Sequence, residues 1–199
     1  MKRFQSEYEY ILKNIMITFN QKILKENPTY SIKKNLFSIE ECEGIISLFT
    51  KLPANNSVTA GGLNSFRSSK NVWVPFDHTW IYERIAAGSK ECNPWGIEVN
   101  GFKEMIQLTM YGQDDYYNSH IDWGSGDMSL RKISCVLQLS DPANYHGGEL
   151  DFLLEKKNDT IKEQGTAIFF PSFIAHRVCR LISGIRYSAV VWISGETFR

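Results

Sequence analysis

His120-Ile121-Asp122 sets an imidazole and a carboxylate two residues apart. In extended chain, residues two apart point to the same side, so the two donors converge on one point. His176 opens a later β-type run, in Pro171-Ser172-Phe173-Ile174-Ala175-His176, and is the candidate third donor. Two imidazoles and one carboxylate on one face of a divalent ion leave the opposite face open, a donor set that suits ferrous iron. Either element alone is a weak signal: most His-x-Asp tripeptides are surface turns, and a lone His in an apolar strand is usually a hydrogen-bonded core residue. Arg186, ten residues after His176 in Gly184-Ile185-Arg186-Tyr187-Ser188, strengthens the case. A guanidinium pointing inward from the last core strand is costly unless it meets an anion. Ser188 lies on the same face and adds a hydroxyl, and a guanidinium fork with a hydroxyl suits a carboxylate.

The elements that must carry these residues can be read in outline. The spacing of Ile11, Ile15, Phe19 and Ile23, widened by Leu12 and Met16, predicts a first helix that stops before Asn27-Pro28. Ser38 and Glu41 form a capping box for a second helix carrying Cys42, Ile45, Ile46, Phe49 and Leu52 up to Pro53. Asp77 is the expected cap of a third, running to about Ala87. Residues 54–71 are rich in Asn, Ser and Gly and read as a long surface loop, with 54–73 as a mobile lid. From residue 97 the texture changes to short β-type runs: Ile97–Val99, Phe102–Tyr111, Ile133–Ser140, Glu149–Leu154, Thr166–Phe170, Ala175–Cys179 and Tyr187–Ile193, separated by turn signals. Seven such runs suggest a jelly-roll sandwich or barrel. The expectation is one α+β domain over 1–199, helical over about 1–95 with a β core over about 97–195, the helices packed on one sheet.

Composition bounds the rest. At 199 residues the prior is one domain, with 43% hydrophobic and 22% charged residues excluding global disorder, collagen and coiled coil. Twenty-two basic residues balance twenty-two acidic ones, which argues against a phosphate-driven nucleic-acid binder. No window is apolar enough to span a membrane, and the N-terminal stretch does not read as a signal peptide. Cys42, Cys92, Cys135 and Cys179 are widely spaced without a Cys-x-x-Cys pair, so they read as reduced, mainly buried thiols of a cytoplasmic protein.

His-x-Asp, a later His, and Arg ten residues on within Gly-x-Arg-Tyr-Ser resemble the Fe(II)/2-oxoglutarate-dependent dioxygenases, and more closely their prolyl 4-hydroxylase-like branch. The flanks agree: Tyr111-Gly112 with Tyr116, Arg131-Lys132-Ile133-Ser134, Leu137-Gln138-Leu139-Ser140, Gly147-Gly148-Glu149-Leu150-Asp151-Phe152, and Gly165 to Pro171-Ser172. The similarity covers about 102–193, and more weakly the Ser38–Cys42 helix start and Arg67-Ser68-Ser69. It implies a double-stranded β-helix with His120, Asp122 and His176 on Fe(II), and Arg186 with Ser188 on the distal carboxylate of 2-oxoglutarate. Tyr111 would also line the cosubstrate pocket, although a core aromatic is an equal reading. Relatives often carry a tyrosine where Gln138 stands, and Gln138 is the candidate replacement as an amide donor. The implied reaction consumes 2-oxoglutarate and O2, releases succinate and CO2, and hydroxylates an unactivated C–H bond, with ascorbate as a candidate reductant. The aspartate at 122 argues against the halogenating branch, where a small residue stands.

The leading reading is hydroxylation of a prolyl residue in a protein or peptide. A free amino acid or small metabolite is the alternative, and a non-catalytic jelly-roll binding module a further one. Nucleic-acid demethylation is disfavoured because Trp192 stands where that branch carries a second arginine. Arg67, Trp73 and Trp123 are candidate substrate contacts. Against that, Arg67 can be a solvated loop arginine and Trp123 a surface or core residue. Trp192 shares strand parity with Arg186 and Ser188 and is read as core packing. His78 and His146 read as loop residues outside the site.

Overall fold

The computed structural model describes residues 27–56, 66–153 and 159–197. The expected first helix lies outside those residues, as do residues 57–65 of the expected lid. In chain order the elements are β1 (Ser31–Lys33), α1 (Ile39–Lys51), β2 (Asn55–Asn56), β3 (Arg67–Ser68), β4 (Lys70–Val74), α2 (Thr79–Glu91), β5 (Gly101–Phe102), β6 (Ile106–Tyr111) and β7 (Tyr116–His120). They continue as β8 (Arg131–Gln138), β9 (Tyr145–Gly147), β10 (Leu150–Phe152), β11 (Ala167–Pro171), β12 (His176–Val178), β13 (Leu181–Gly184) and β14 (Arg186–Ser194).

A large sheet runs β1-β11-β8-β14-β6-β4-β2, with β5 pairing the end of β14. A smaller sheet, β10-β12-β7-β3, faces it, and β9 with β13 forms a short ribbon. All pairings are antiparallel. This is the expected α+β double-stranded β-helix.

The period of two along each strand divides the chemistry of the large sheet. One face of β14 presents Ala189, Val191 and Ile193, which pack with Cys135 and Leu137 of β8, Leu108 of β6 and Phe169 of β11. Both helices cover this face. α1 turns Cys42, Ile45 and Phe49 onto it, and α2 turns Ile81, Tyr82 and Ile85. The Tyr82 hydroxyl donates to the Val74 carbonyl at 2.7 Å and accepts from the Ile106 amide at 2.9 Å, fastening α2 to β4 and β6. The opposite face of β14 carries Arg186, Ser188, Val190 and Trp192 into the space between the sheets.

The capping box is formed: the Glu41 amide donates to Ser38 Oγ at 3.2 Å, and Glu41 Oε2 accepts from the Ser38 amide at 2.8 Å. The cap expected at Asp77 is not. His78 occupies that position without a side-chain cap bond, and the helix continues to Glu91 because Gly88 and Ser89 are buried. Gly88 lets Leu36 and Phe169 approach to 3.2 Å of where a Cβ would stand. Ile97–Val99 is not a strand, because the Asn93 side chain holds both backbone groups of Ile97, at 3.1 and 2.8 Å. The run expected over Phe102–Tyr111 is split into β5 and β6. The surface loop expected over 54–71 contains β2, β3 and the start of β4; β2 and β4 belong to the large sheet and β3 pairs with β7 of the small one.

Gly165 joins the helical layer to the sheet. Its φ is +77°, and an added Cβ would meet the Phe37 carbonyl oxygen at 2.1 Å. Its own carbonyl accepts from the Leu36 and Phe37 amides at 2.9 and 3.2 Å. Left-handed strain and overpacking each cost on the order of 1–3 kcal/mol, so Gly165→Ala should lower unfolding stability by about 2–4 kcal/mol in a urea titration. Gly44→Ala, on the open face of α1 with nothing within 4 Å, should instead raise it by about 0.5–1 kcal/mol. Equal effects of the two substitutions would contradict this packing.

Candidate metal centre and adjoining cavity

The smaller sheet brings the donors together. His120 ends β7, His176 opens β12, and the two are register partners. Asp122 follows in a bend fixed by one carbonyl: the amides of Asp122 and Trp123 both donate to Ser172 O, at 2.9 and 3.0 Å. Asp122 Oδ1 lies 3.6 Å from His120 Nε2, and Oδ2 lies 3.7 Å from His176 Nε2. One donor atom from each residue falls within 4.8 Å of the others, and all three residues are buried. Among the described residues no other group of three such donors could hold a metal ion.

The ring nitrogens not facing this point are already committed. His120 Nδ1 lies 2.8 Å from the Asn118 carbonyl and His176 Nδ1 lies 3.0 Å from the Ile174 carbonyl. A carbonyl can only accept, so each Nδ1 carries a proton, which leaves each Nε2 as the ring atom that faces the common point. Tyr117 stacks on the His120 ring at 3.6 Å, and Phe170 meets His176 edge-on at 4.7 Å. Burial, helped by the neighbouring His176, pushes His120 down to about 3, so it stays neutral at ordinary pH. Burial pushes the Asp122 carboxyl up, but His176, His120, the Ser134 hydroxyl and Arg131 outweigh it and hold it below the usual carboxylate range. Two imidazoles whose Nε2 atoms face one ionised carboxylate are a donor set that fits Fe(II).

The donors open onto a cavity of roughly 540 Å³ between the sheets. Arg186 lies in its wall and is 1% exposed. Its Nη2 donates to Gln138 Oε1 at 2.8 Å and its Nη1 to Ser188 Oγ at 3.4 Å, with the Tyr111 ring 5.5 Å away. The four residues proposed from sequence to surround a carboxylate are therefore adjacent. Gln138 receives a bond from Arg186 through its oxygen, which leaves the amide NH₂ as a donor.

Arg67 is not a solvated loop arginine. It is a buried residue of β3 and lines the same cavity. Its Nε donates to Ser69 at 2.8 Å, and its Nη2 donates to Gln107 Oε1 at 2.9 Å and Thr109 Oγ1 at 3.3 Å. The Tyr117 ring lies 4.6 Å from its Cζ. Arg84, Arg131, Arg177 and Arg180 each pair with a carboxylate. Among the described residues Arg67 and Arg186 bond only neutral groups. Trp73 and Trp123 also line the cavity. So does Trp192, read from sequence as core packing. It lies 6.4 Å from Trp73, and its indole N–H has no hydrogen-bond partner among the described residues. His78 and His146 are not in the cavity wall.

Several residues here escape sequence reasoning. Arg131 stacks on Trp192 at 3.7 Å, pairs with Glu104 and donates to the Asp122 carbonyl at 3.1 Å. Gln107 and Thr109 share strand parity with Tyr111, and Ser134 shares it with Gln138; that parity was the available signal. The depressed His120 sets a pH dependence for the metal-free protein. Between about pH 6.5 and about 3 the unfolded chain binds a proton at this imidazole that the folded chain does not. Stability should therefore be lost as pH falls through that window, and His120→Asn should flatten the slope in thermal unfolding against pH. An unchanged slope would mean that His120 is protonated when folded.

Residues 106–194 match the family model of the 2OG-Fe(II) oxygenase superfamily. A PKHD-type hydroxylase of Hyphomonas neptunium is 40% identical over 91 residues, 43% of this chain and 41% of that protein. The chain thus spans about two fifths of the length of that relative. The viral collagen prolyl hydroxylase of Paramecium Bursaria Chlorella virus-1, solved as its 2OG complex, superposes with a TM-score of 0.63 at 23% identity, covering 87% of this chain and 99% of that one. A Trichoplax adhaerens prolyl hydroxylase, solved with a hypoxia inducible factor peptide fragment, gives 0.66 at 15% identity over 97% of this chain and 91% of that one. The sequence match over residues 106–194 is to the 2OG-Fe(II) oxygenase superfamily, and the fold is one that solved prolyl hydroxylases share.

Proposed function

We propose that this chain is a single-domain Fe(II)- and 2-oxoglutarate-dependent hydroxylase acting on a prolyl residue of a protein or peptide. The observation that carries the reading is one cavity with two features: a His-Asp-His donor cluster and a fully buried guanidinium with no carboxylate partner among the described residues. His120, Asp122 and His176 hold the iron. With 2-oxoglutarate and O2 bound, the metal supplies the oxidant for a C–H bond; R–H, 2-oxoglutarate and O2 become R–OH, succinate and CO2.

The protein's own work is binding, orientation and exclusion of water. Arg186 forms a charge-assisted fork with the distal carboxylate of the cosubstrate, while Ser188, Gln138 and Tyr111 set its position. Trp73, Trp123 and Trp192 wall the remaining space with apolar surface that suits a pyrrolidine ring, and the unpartnered Trp192 N–H is a donor for a backbone carbonyl. The name of the relative supports hydroxylation, and those of the fold neighbours support the prolyl part. The four thiols are free, in keeping with a reducing, cytoplasmic setting. Among the described residues no helix is long and apolar enough to cross a membrane.

One observation favours the second reading, a free amino acid or other small acid as substrate. Arg67, in the same cavity, is another buried guanidinium with no carboxylate partner among the described residues, suited to an acidic substrate. Succinate release screened over proline-containing peptides and free amino acids separates the two. A peptide product one oxygen atom heavier by mass spectrometry supports the first, and release only with free acids supports the second.

Two substitutions test the site. Asp122→Ala should abolish succinate formation with an unchanged circular dichroism spectrum; retained turnover would remove Asp122 from the iron. Arg186→Met should raise the apparent constant for 2-oxoglutarate by about 30-fold or more, the loss of roughly 2–5 kcal/mol for a desolvated charged pair, with a much smaller effect on iron affinity. Arg186→Lys should be impaired too, because an ammonium cannot reproduce the fork. An unchanged 2-oxoglutarate dependence would refute the assignment.

A further inference from the structure

Asp122 is gripped by a hydroxyl pair from the large sheet. Ser134 Oγ lies 2.6 Å from Asp122 Oδ2, and Ser172 Oγ lies 3.0 Å from Ser134 Oγ. Both serines are fully buried. A serine has one proton to give. At 2.6 Å the Ser134 proton belongs on the carboxylate, a charge-assisted bond, so Ser172 supplies the proton between the two hydroxyls. Ser172 is itself fixed by its backbone. Its amide donates to the Lys132 carbonyl at 3.0 Å, and its carbonyl accepts the two amides of the Asp122–Trp123 bend. One residue thus holds both the backbone of the acidic donor and the hydroxyl that orients its side chain.

We propose that Ser134, oriented by Ser172, is a positioning residue that occupies Asp122 Oδ2 and leaves the carboxylate a single oxygen for the metal. A carboxylate free to rotate can take two coordination positions with its two oxygens. A carboxylate with one oxygen engaged in a short hydrogen bond takes one, and keeps a position open for the other ligands. The inference rests on the iron-binding reading above and adds to it a determinant of coordination number. Ser134 touches neither substrate nor metal and acts through Asp122.

Cobalt(II) titration of the full chain, without 2-oxoglutarate, reads this independently of turnover. Ser134→Ala should weaken cobalt binding by about 10–100-fold and change the shape of the visible cobalt band, with circular dichroism unchanged. Ser134→Thr, which keeps the hydroxyl, should restore both. Wild-type affinity and band in Ser134→Ala would overturn the proposal, as would a Ser134→Thr variant as impaired as Ser134→Ala. If Ser134→Ala does not fold, Ser172→Ala decides: a raised dissociation constant supports the relay, and an unchanged one overturns it. A wild-type chain that binds no cobalt overturns both this inference and the iron-binding reading. Normal binding in both wild type and Ser134→Ala overturns this inference alone.

Discussion

The pairing of β7 with β12 sets His176 opposite His120, and the rest of the site depends on that register. Side chains alternate faces along a strand, so a slip of one residue would turn one imidazole out of the cavity. The alignment is held from several sides. Each imidazole is tied through Nδ1 to a carbonyl two residues back along the chain. β12 also pairs with β10, where Phe152 opposes His176. The Asp122 bend is fastened to Ser172, just beyond β11 of the other sheet. The third donor is thus fixed by the large sheet while the two imidazoles belong to the small one. The site can form only when the sheets face each other.

Burying this much polarity between two sheets has to be offset elsewhere. The opposite face of the large sheet does so with a continuous apolar layer in which Leu108, Ile133, Cys135, Leu137, Phe169, Ala189 and Val191 are fully buried. Each fully buried aliphatic side chain contributes about 1.5–3 kcal/mol. The two helices serve this face, and neither supplies a wall residue to the metal cavity. Rigidity of the apolar face is what allows the other face of the same strands to hold Arg186, Gln138, Ser134 and Ser188 in a fixed arrangement.

Charge pairing separates scaffold from site. Arg131 and Glu104 neutralise each other at the cavity rim, and the guanidinium is free to lie flat on Trp192. Arg84 binds the same Glu41 that caps α1, tying helix to helix. Arg67 and Arg186 have no such partners among the described residues, although their neutral neighbours satisfy much of their hydrogen bonding. A buried cation surrounded by neutral acceptors is poised for an anion that enters from solution.

The local signals were legible in the residues themselves. The Ser38–Glu41 capping box, the apolar stripe of α1, the β11 and β14 runs and the His-x-Asp…His…Arg spacing depend on contacts within a few residues or on the period of one strand. Those elements stand close to where the residues put them. What tertiary structure decided involves partners far away in sequence. Tyr116–His120 has no apolar alternation and is not among the runs read as strands, yet it is β7, because its neighbours β12 and β3 supply the hydrogen bonds. Arg67 sits in a stretch of Asn, Ser and Gly that reads as solvent-exposed. It is buried because Gln107, Thr109 and Tyr117 from two other strands surround it. Trp192 shares parity with Arg186 and Ser188, which leaves pocket and core open; it is buried beneath Arg131 and also walls the cavity. Ser134 and Ser172 stand in the flanks that carry the resemblance, but nothing local marks them as partners of Asp122. A hydroxyl becomes a carboxylate's partner only when two sheets bring it within 2.6 Å, and no local pattern encodes that distance.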